Sequence, residues 1–198
     1  MKHLILFFVI AACCGCDSEL NIADQGVVDP YLVGNYWVYD VQEFDSTGAI
    51  SSRSEDSIAV KDIYSDRIVM SNEVEYIRRS DGIYYSNGDL LYKFPAFAQD
   101  TMFQTDTVMT RFKWGNARAT ISSFVEAVNV PVGVIAGNFV AYKYRVQAYI
   151  KDGKVGWDMI SYYSPSIGLI KSEYFAAFSP GATPRLATRT ELVRYKIR

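Results

Sequence analysis

From Val140 onward every second side chain is apolar: Val140, Tyr142, Tyr144, Val146, Ala148 and Ile150 fall on one face, with Lys143, Arg145 and Gln147 on the other. A period of two is the mark of a strand with one buried face, whereas a helix would scatter the same residues around its circumference. Asp152-Gly153 follows at once. That pair tolerates the positive φ angles of a two-residue hairpin loop, and Val155, Trp157 and Met159 resume the alternation beyond it. The segment reads as an antiparallel hairpin, and any fold for this chain has to accommodate it.

The same punctuation runs through the rest of the sequence. Strands are expected at Tyr36 to Phe44 and Ser52 to Tyr64, joined through Ser46-Thr47-Gly48, and at Arg67 to Ser71 after Ser65-Asp66. Val74 to Arg79, Ile83 to Ser86 and Leu90 to Phe94 are three short strands separated by Ser80-Asp81-Gly82 and Asn87-Gly88. Phe97 to Thr107 reads as a looser segment. Further strands follow at Val108 to Phe112, Ala117 to Val125, Phe139 to Ile150, Val155 to Tyr163, Leu169 to Phe178 and Thr190 to Ile197. No segment shows clear helical periodicity. The expected fold is mainly β: a single strongly curved antiparallel sheet, a half-barrel or open barrel, built from meandering hairpins.

The N-terminus carries a different signal. Lys2 precedes an apolar run from Leu4 to Ala12, which is well short of the ~20 residues a membrane-spanning helix needs. A basic start, a short apolar run and small residues before a cysteine mark an export signal of the lipoprotein type. Ile10-Ala11-Ala12-Cys13 fits a lipobox, and Gly15-Cys16 offers a second site, so the lipidated residue is Cys13 or Cys16. Acyl chains contribute about 0.8 kcal/mol per buried CH2, enough for several of them to anchor a protein with no transmembrane helix. Residues 1–16 are thus read as signal peptide and lipobox, 17–30 as a tether, and 31–198 as a single β domain. The expected location is the cell envelope, anchored to a bacterial membrane, the outer one by preference, with the domain in the periplasm or at the cell surface.

Composition removes several chemistries. The single histidine, His3, lies in the signal, so the mature domain lacks the imidazole that Ser-His-Asp and Cys-His nucleophiles and histidine-bound metals require. The three cysteines all crowd the cleavage region, which leaves no disulfide framework. A formal net charge of -2 offers no basic surface for nucleic acid. No cofactor and no metal site are expected. Asp100 and Asp106 with Thr101, Thr105 and Thr107 are oxygen-rich but match no calcium loop. Asp40, Glu43 and Asp45, or Glu55 and Asp56, are carboxylate pairs of the sort glycosidases use, yet in strands they fit a solvated face better.

Two further stretches, Val130-Pro131-Val132-Gly133 with Ala136-Gly137-Asn138-Phe139, and Tyr162-Tyr163-Ser164-Pro165-Ser166-Ile167-Gly168-Leu169-Ile170-Lys171-Ser172-Glu173, carry a resemblance. In the last third of the chain the sequence resembles the bacterial envelope lipoproteins grouped as TapB-like. There a proline and glycine loop leads into a strand, and a later tyrosine, proline and glycine turn leads into a strand ending in a lysine and an acid. The first motif departs from the pattern by an insertion, since Gly133 and Gly137 compete for a single glycine. The resemblance implies a curved antiparallel sheet, similar in outline to periplasmic lipoprotein carriers such as LolA, and implies no activity.

Aromatic content is the remaining clue, with 15 Tyr, 11 Phe and 3 Trp. A β core accommodates such residues, and Tyr keeps its hydroxyl wet at a rim. Alternatively, a concave face carrying Tyr142, Tyr144, Trp157 and Phe175 binds an acyl chain or a glycan. Three functions are therefore carried, in this order: a non-catalytic envelope lipoprotein acting through protein contacts, a carrier or sensor of a hydrophobic ligand, and a carboxylate-dependent hydrolase. The expected partners are the membrane, through the lipid anchor, and an envelope protein or a hydrophobic small molecule. A solvent-accessible apolar cavity separates the second function from the first; two carboxylates about 5–9 Å apart in an open cleft would favour the third.

Overall fold

The computed structural model describes residues 29–112, 115–150, 154–177 and 182–198, with side chains at all of these positions except 107–117 and 154–155. Twelve strands follow one another: β1 (Tyr36–Phe44), β2 (Ile50–Tyr64), β3 (Arg67–Met70), β4 (Glu75–Arg79), β5 (Gly82–Tyr85), β6 (Leu90–Lys93), β7 (Thr101–Phe112), β8 (Gly115–Val134), β9 (Gly137–Ile150), β10 (Lys154–Ser164), β11 (Gly168–Ala176) and β12 (Arg185–Lys196). They form one sheet in the order β6-β5-β4-β3-β2-β1-β12-β11-β10-β9-β8-β7, and neighbours pair antiparallel throughout. The chain runs out along one wing from β1 to β6, crosses to β7, and returns along the other wing until β12 pairs with β1. Among the described residues, no helix is long and apolar enough to cross a membrane.

Strand twist and bulges curl this sheet until it nearly closes into a barrel. Register shifts leave an extra residue on β2 at Ser51, on β10 at Gly156, on β11 at Ile170 and on β12 at Ala187 and Val193. Each extra residue bends its strand and sharpens the local twist. The short strands of the first wing consequently fold over the concave face of the second. Tyr92 of β6 stacks on Tyr163 of β10 with ring centroids 4.2 Å apart, and the Tyr144 hydroxyl of β9 donates to the Lys93 carbonyl at 2.5 Å. Trp37, Ile68, Ile83, Val125, Tyr144, Tyr163, Ile170 and Leu192 form the heart of the core between the wings.

Two glycines permit this close approach. Gly82, at φ +155°, starts β5 where an added Cβ would lie 2.1 Å from the Tyr92 carbonyl oxygen, so no larger residue fits. Gly168, at φ +101°, lies under the Trp37 indole, whose Nε1–H donates to the Ile167 carbonyl at 2.5 Å. That bond ties the first strand of the domain to the turn between β10 and β11.

The period-two reading of Val140 to Ile150 matches the structure on its inner face, where Val140, Tyr142, Tyr144 and Ala148 are buried. The outer face is drier than expected: Gln147 is also buried and Arg145 half-buried, because they pair with Asp158 of the neighbouring strand. Asp152 and Gly153 lie outside the described residues, but Lys154 stands opposite Ile150 as a hairpin requires.

Two expectations need correction. The looser segment from Phe97 to Thr107 is strand from Thr101 onward. A turn at Phe97–Asp100 delivers the chain to β7, with the Asp100 N–H donating to the Phe97 carbonyl, and β7 then pairs along β8 from Thr101 opposite Phe124. Val130-Pro131-Val132-Gly133 is strand too, not a loop: β8 continues to Val134, and Pro131 stands opposite Val140. Proline is tolerated there because β7 pairs with β8 only as far as Phe124, which leaves the later part of β8 as an edge. Asn129, at φ +56°, takes up the bulge that bends the strand between these two parts.

Candidate functional site

The candidate site begins where the described chain begins. Asp29 Oδ1 accepts from the Tyr31 backbone N–H at 3.0 Å, and the wholly buried Asn35 donates from Nδ2 to the Pro30 carbonyl at 2.8 Å. Asn35 Oδ1 in turn accepts from the Arg198 N–H at 3.1 Å, fastening this entry segment to the end of the chain. Tyr31 is thereby held against Trp37, its ring centroid 5.8 Å away.

Above Tyr31 a cavity of about 550 Å³ opens to solvent. That volume lies within the ~300–1,000 Å³ usual for small-molecule sites. Its floor and walls are Tyr31, Ile83, Phe94, Tyr142 and Tyr163, with Pro30, Pro95 and Pro165 around them. Tyr163 anchors the floor: it is fully buried between Tyr92 and Phe94, stacking on both. A smaller cleft of about 110 Å³, reaching down to Met70 and Tyr92, shares Tyr31 as a wall.

The hydroxyl groups of the floor already take part in hydrogen bonds within the protein. The Tyr163 hydroxyl donates to the Tyr31 hydroxyl at 3.3 Å, and the Tyr142 hydroxyl accepts from the Ala96 backbone N–H. Burial pushes the Tyr31, Tyr92 and Tyr163 hydroxyls well above the ordinary tyrosine range and Tyr76 up to about 12, because a phenolate there would lose its hydration. The floor therefore stays neutral. Among the described residues that line the cavity, charge appears only at the mouth, where Arg78 forms an ion pair with Asp29 and the Arg79 guanidinium sits 4.4 Å above the centroid of the Tyr84 ring.

Of the four aromatics expected to form a ligand face, Tyr142 lines the cavity. Tyr144 lies deeper beside it, with ring centroids 6.1 Å apart, its hydroxyl spent on Lys93. Trp157 stands opposite Ala148 and so shares their face, but it packs further along β10 against Tyr174. Phe175 does not join them. It stands opposite Asp158 and occupies the other side of the sheet, one residue out of phase with Trp157. Sequence reasoning missed Tyr31, Ile83, Phe94, Tyr163, Arg78 and Arg79. Their only local signal was the tight turn at Ser80-Asp81-Gly82, which places Arg79 and Ile83 on either side of a bend. Cys13 and Cys16 lie outside the described residues.

Of the carboxylates singled out in the sequence, only Asp40 and Glu55 meet: they stand opposite each other on β1 and β2 and line an open cleft of about 260 Å³ with Arg53, but each is held in an ion pair, Asp40 with Arg53 and Glu55 with Arg194. Asp100 accepts from Lys93 Nζ at 2.7 Å and from the Phe97 N–H, closing a loop, while Asp106 accepts from the Thr120 hydroxyl at 2.6 Å. Asp40 is buried beneath Arg53 at 2.6 Å, Glu43 accepts from Ser52, Asp45 caps its own turn at Thr47 and Ala49, and Glu55 pairs with Arg194. Among the described residues no group of three metal-ligating side chains is present.

No family model matches the chain, and no curated protein matches it. Among solved structures, it is similar to one described as a lipoprotein of Parabacteroides distasonis, with 15% identity and a TM-score of 0.49, over 87% of this chain and 100% of the other. It is also similar to one described as an exported protein with a YmcC-like fold, from Bacteroides fragilis, with 15% identity and a TM-score of 0.41, over 86% of this chain and 99% of the other. These likenesses run along most of the chain rather than its last third, and nothing in them singles out the TapB-like group. At such identity and overlap no function transfers.

Proposed function

We propose that this protein is a non-catalytic, lipid-anchored envelope protein that binds a hydrophobic small molecule in the cavity above Tyr31, as a carrier or sensor. The observation that carries this reading is an open, largely apolar cavity whose tyrosine hydroxyls are already hydrogen-bonded within the protein. Such a floor offers mainly contact area, with the Tyr31 and Tyr142 O–H protons as its remaining donors, which suits an acyl chain better than a glycan, since the several hydroxyls of a sugar need more partners than that. Position supports the same choice. Asp29 and Pro30 line the mouth, and the chain between the lipidated cysteine and Asp29 can extend no further than about 45 Å from Cys16 or about 55 Å from Cys13, so a lipid anchor on either keeps the mouth within that reach of the bilayer.

The test is native mass spectrometry of the chain from Asp17 onward, which contains every core residue described above, before and after denaturing extraction. A co-purifying hydrophobic molecule, or uptake of an added one at one per chain, is the expected result. A monodisperse monomer that neither carries nor takes up such a molecule would overturn it and return the protein-contact reading to first place.

A further inference from the structure

We propose that the ligand is an amphiphile with a single acidic head, its chain in the cavity and its head against Arg79. This rests on reading the cavity as a ligand site, and adds the chemistry of the head. The charged residues lining the cavity are Asp29, Arg78 and Arg79. Asp29 and Arg78 neutralise each other as an ion pair, which leaves the mouth one net positive charge, that of Arg79.

Among the described residues Arg79 has no carboxylate partner. It is exposed at the end of β4, where the Tyr84 ring holds its guanidinium by a cation-π contact at 4.4 Å and the Tyr84 hydroxyl oxygen accepts one of its N–H groups, leaving the others free to donate. Asp81 is linked to this group through the Tyr84 hydroxyl, which donates to Asp81 Oδ2 at 2.8 Å, and it does not line the cavity. A guanidinium positioned by an aromatic face keeps its outward N–H groups for an incoming anion, and its planar fork matches a carboxylate or phosphate. Ser80, beside it on the rim, adds a hydroxyl donor. A cationic head is excluded, because the one carboxylate among the described residues that line the cavity, Asp29, is already committed to Arg78.

The experiment displaces the neutral fluorescent reporter N-phenylnaphthylamine from the chain beginning at Asp17. The competitors are a long-chain fatty acid, the primary alcohol of equal length, and a lysophosphatidic acid with the same chain. The proteins are the wild type, Arg79→Gln and Arg79→Lys, with far-UV circular dichroism as the check on folding. The expected result is that both acids bind at least about tenfold more tightly than the alcohol, that Arg79→Gln removes this advantage while leaving the alcohol unchanged, and that Arg79→Lys restores part of it. Whichever acid binds better assigns the source, free fatty acid or phospholipid, and either supports the proposal. Equal binding of acid and alcohol to the wild type, or an equal loss of both in Arg79→Gln, would overturn the head-group assignment while leaving the cavity reading intact. Failure of the reporter and all three competitors to bind would instead sink the cavity reading itself.

Discussion

Replacing Arg145 with Met should destabilise the fold by about 3 kcal/mol, and replacing Asp158 with Leu in the same chain should recover most of that loss. Asp158 is buried on the outer face of the sheet. Arg145 donates to it from Nε at 3.0 Å to each oxygen and from Nη2 at 2.5 Å, while Gln147 contributes one long bond at 3.4 Å. Arg145→Met keeps the stem over the sheet but leaves the carboxylate buried with Gln147 alone. Breaking one side of a buried pair costs ~3–5 kcal/mol, and the lower end applies because Arg145 is 30% exposed, so water can reach the vacated place. Glu126 is not orphaned by the change, since Lys143 still binds it at 2.7 Å. In the double variant no charge is stranded, and stability should return to within about 1 kcal/mol of wild type. Urea unfolding followed by tryptophan fluorescence reads the effect. With slopes of ~1–3 kcal/mol per molar urea, the single variant should lower the midpoint by at least about 1 M. A single variant within about 0.5 kcal/mol of wild type, or a double variant as unstable as the two singles summed, would refute the reasoning.

Three more perturbations follow from the geometry. Gly168→Ala places a Cβ at a φ of +101° and 3.3 Å from Trp37 Nε1, so a loss of about 1–3 kcal/mol is expected in the same urea assay; a loss below about 0.5 kcal/mol would mean the turn adapts freely. Burial raises the folded pKa of Tyr31, Tyr92 and Tyr163, so the stability they contribute is present below about pH 10 and is lost as pH rises beyond it. Urea midpoints on either side of that value, with tyrosinate absorbance in the near ultraviolet, would contradict this if every tyrosine ionised normally in a still-folded chain. The Arg53 guanidinium, with help from Gln42, holds Asp40 below the usual carboxylate range, so its contribution is present above about pH 4 and disappears as pH falls through the lowered value. Asp40→Asn should flatten that acid limb of the stability curve, and an unchanged limb would assign it to other carboxylates.

Strand identity was legible because it is written locally. Alternation in Val140–Ile150 and the glycine-bearing turns at Gly82 and Gly88 depend only on neighbours two to four residues away. The errors came where pairing overrode punctuation. Thr101 to Asp106 looks polar enough for a loop, yet β8 offers a full ladder of backbone partners and makes it strand. Pro131 looks like a breaker, yet it lies on β8 beyond the last residue that β7 reaches. Phe175 was placed with Trp157 by counting along the chain, and register put it opposite Asp158 on the other face.

By itself the sequence determined an all-β meander, and it set the expectation of a lipobox ahead of that meander with the single histidine, His3, on its N-terminal side, since each of these is a matter of periodicity or residue type. Only the tertiary structure decided where a ligand could sit. The cavity draws on the entry at Asp29–Tyr31, the β4–β5 turn, Phe94, Tyr142 and Tyr163, residues up to 134 positions apart that meet because bulges curl the two wings of the sheet onto each other. The same curvature spends the tyrosine hydroxyls inside the core and leaves Arg79 at the mouth, and no spacing along the chain encodes that outcome.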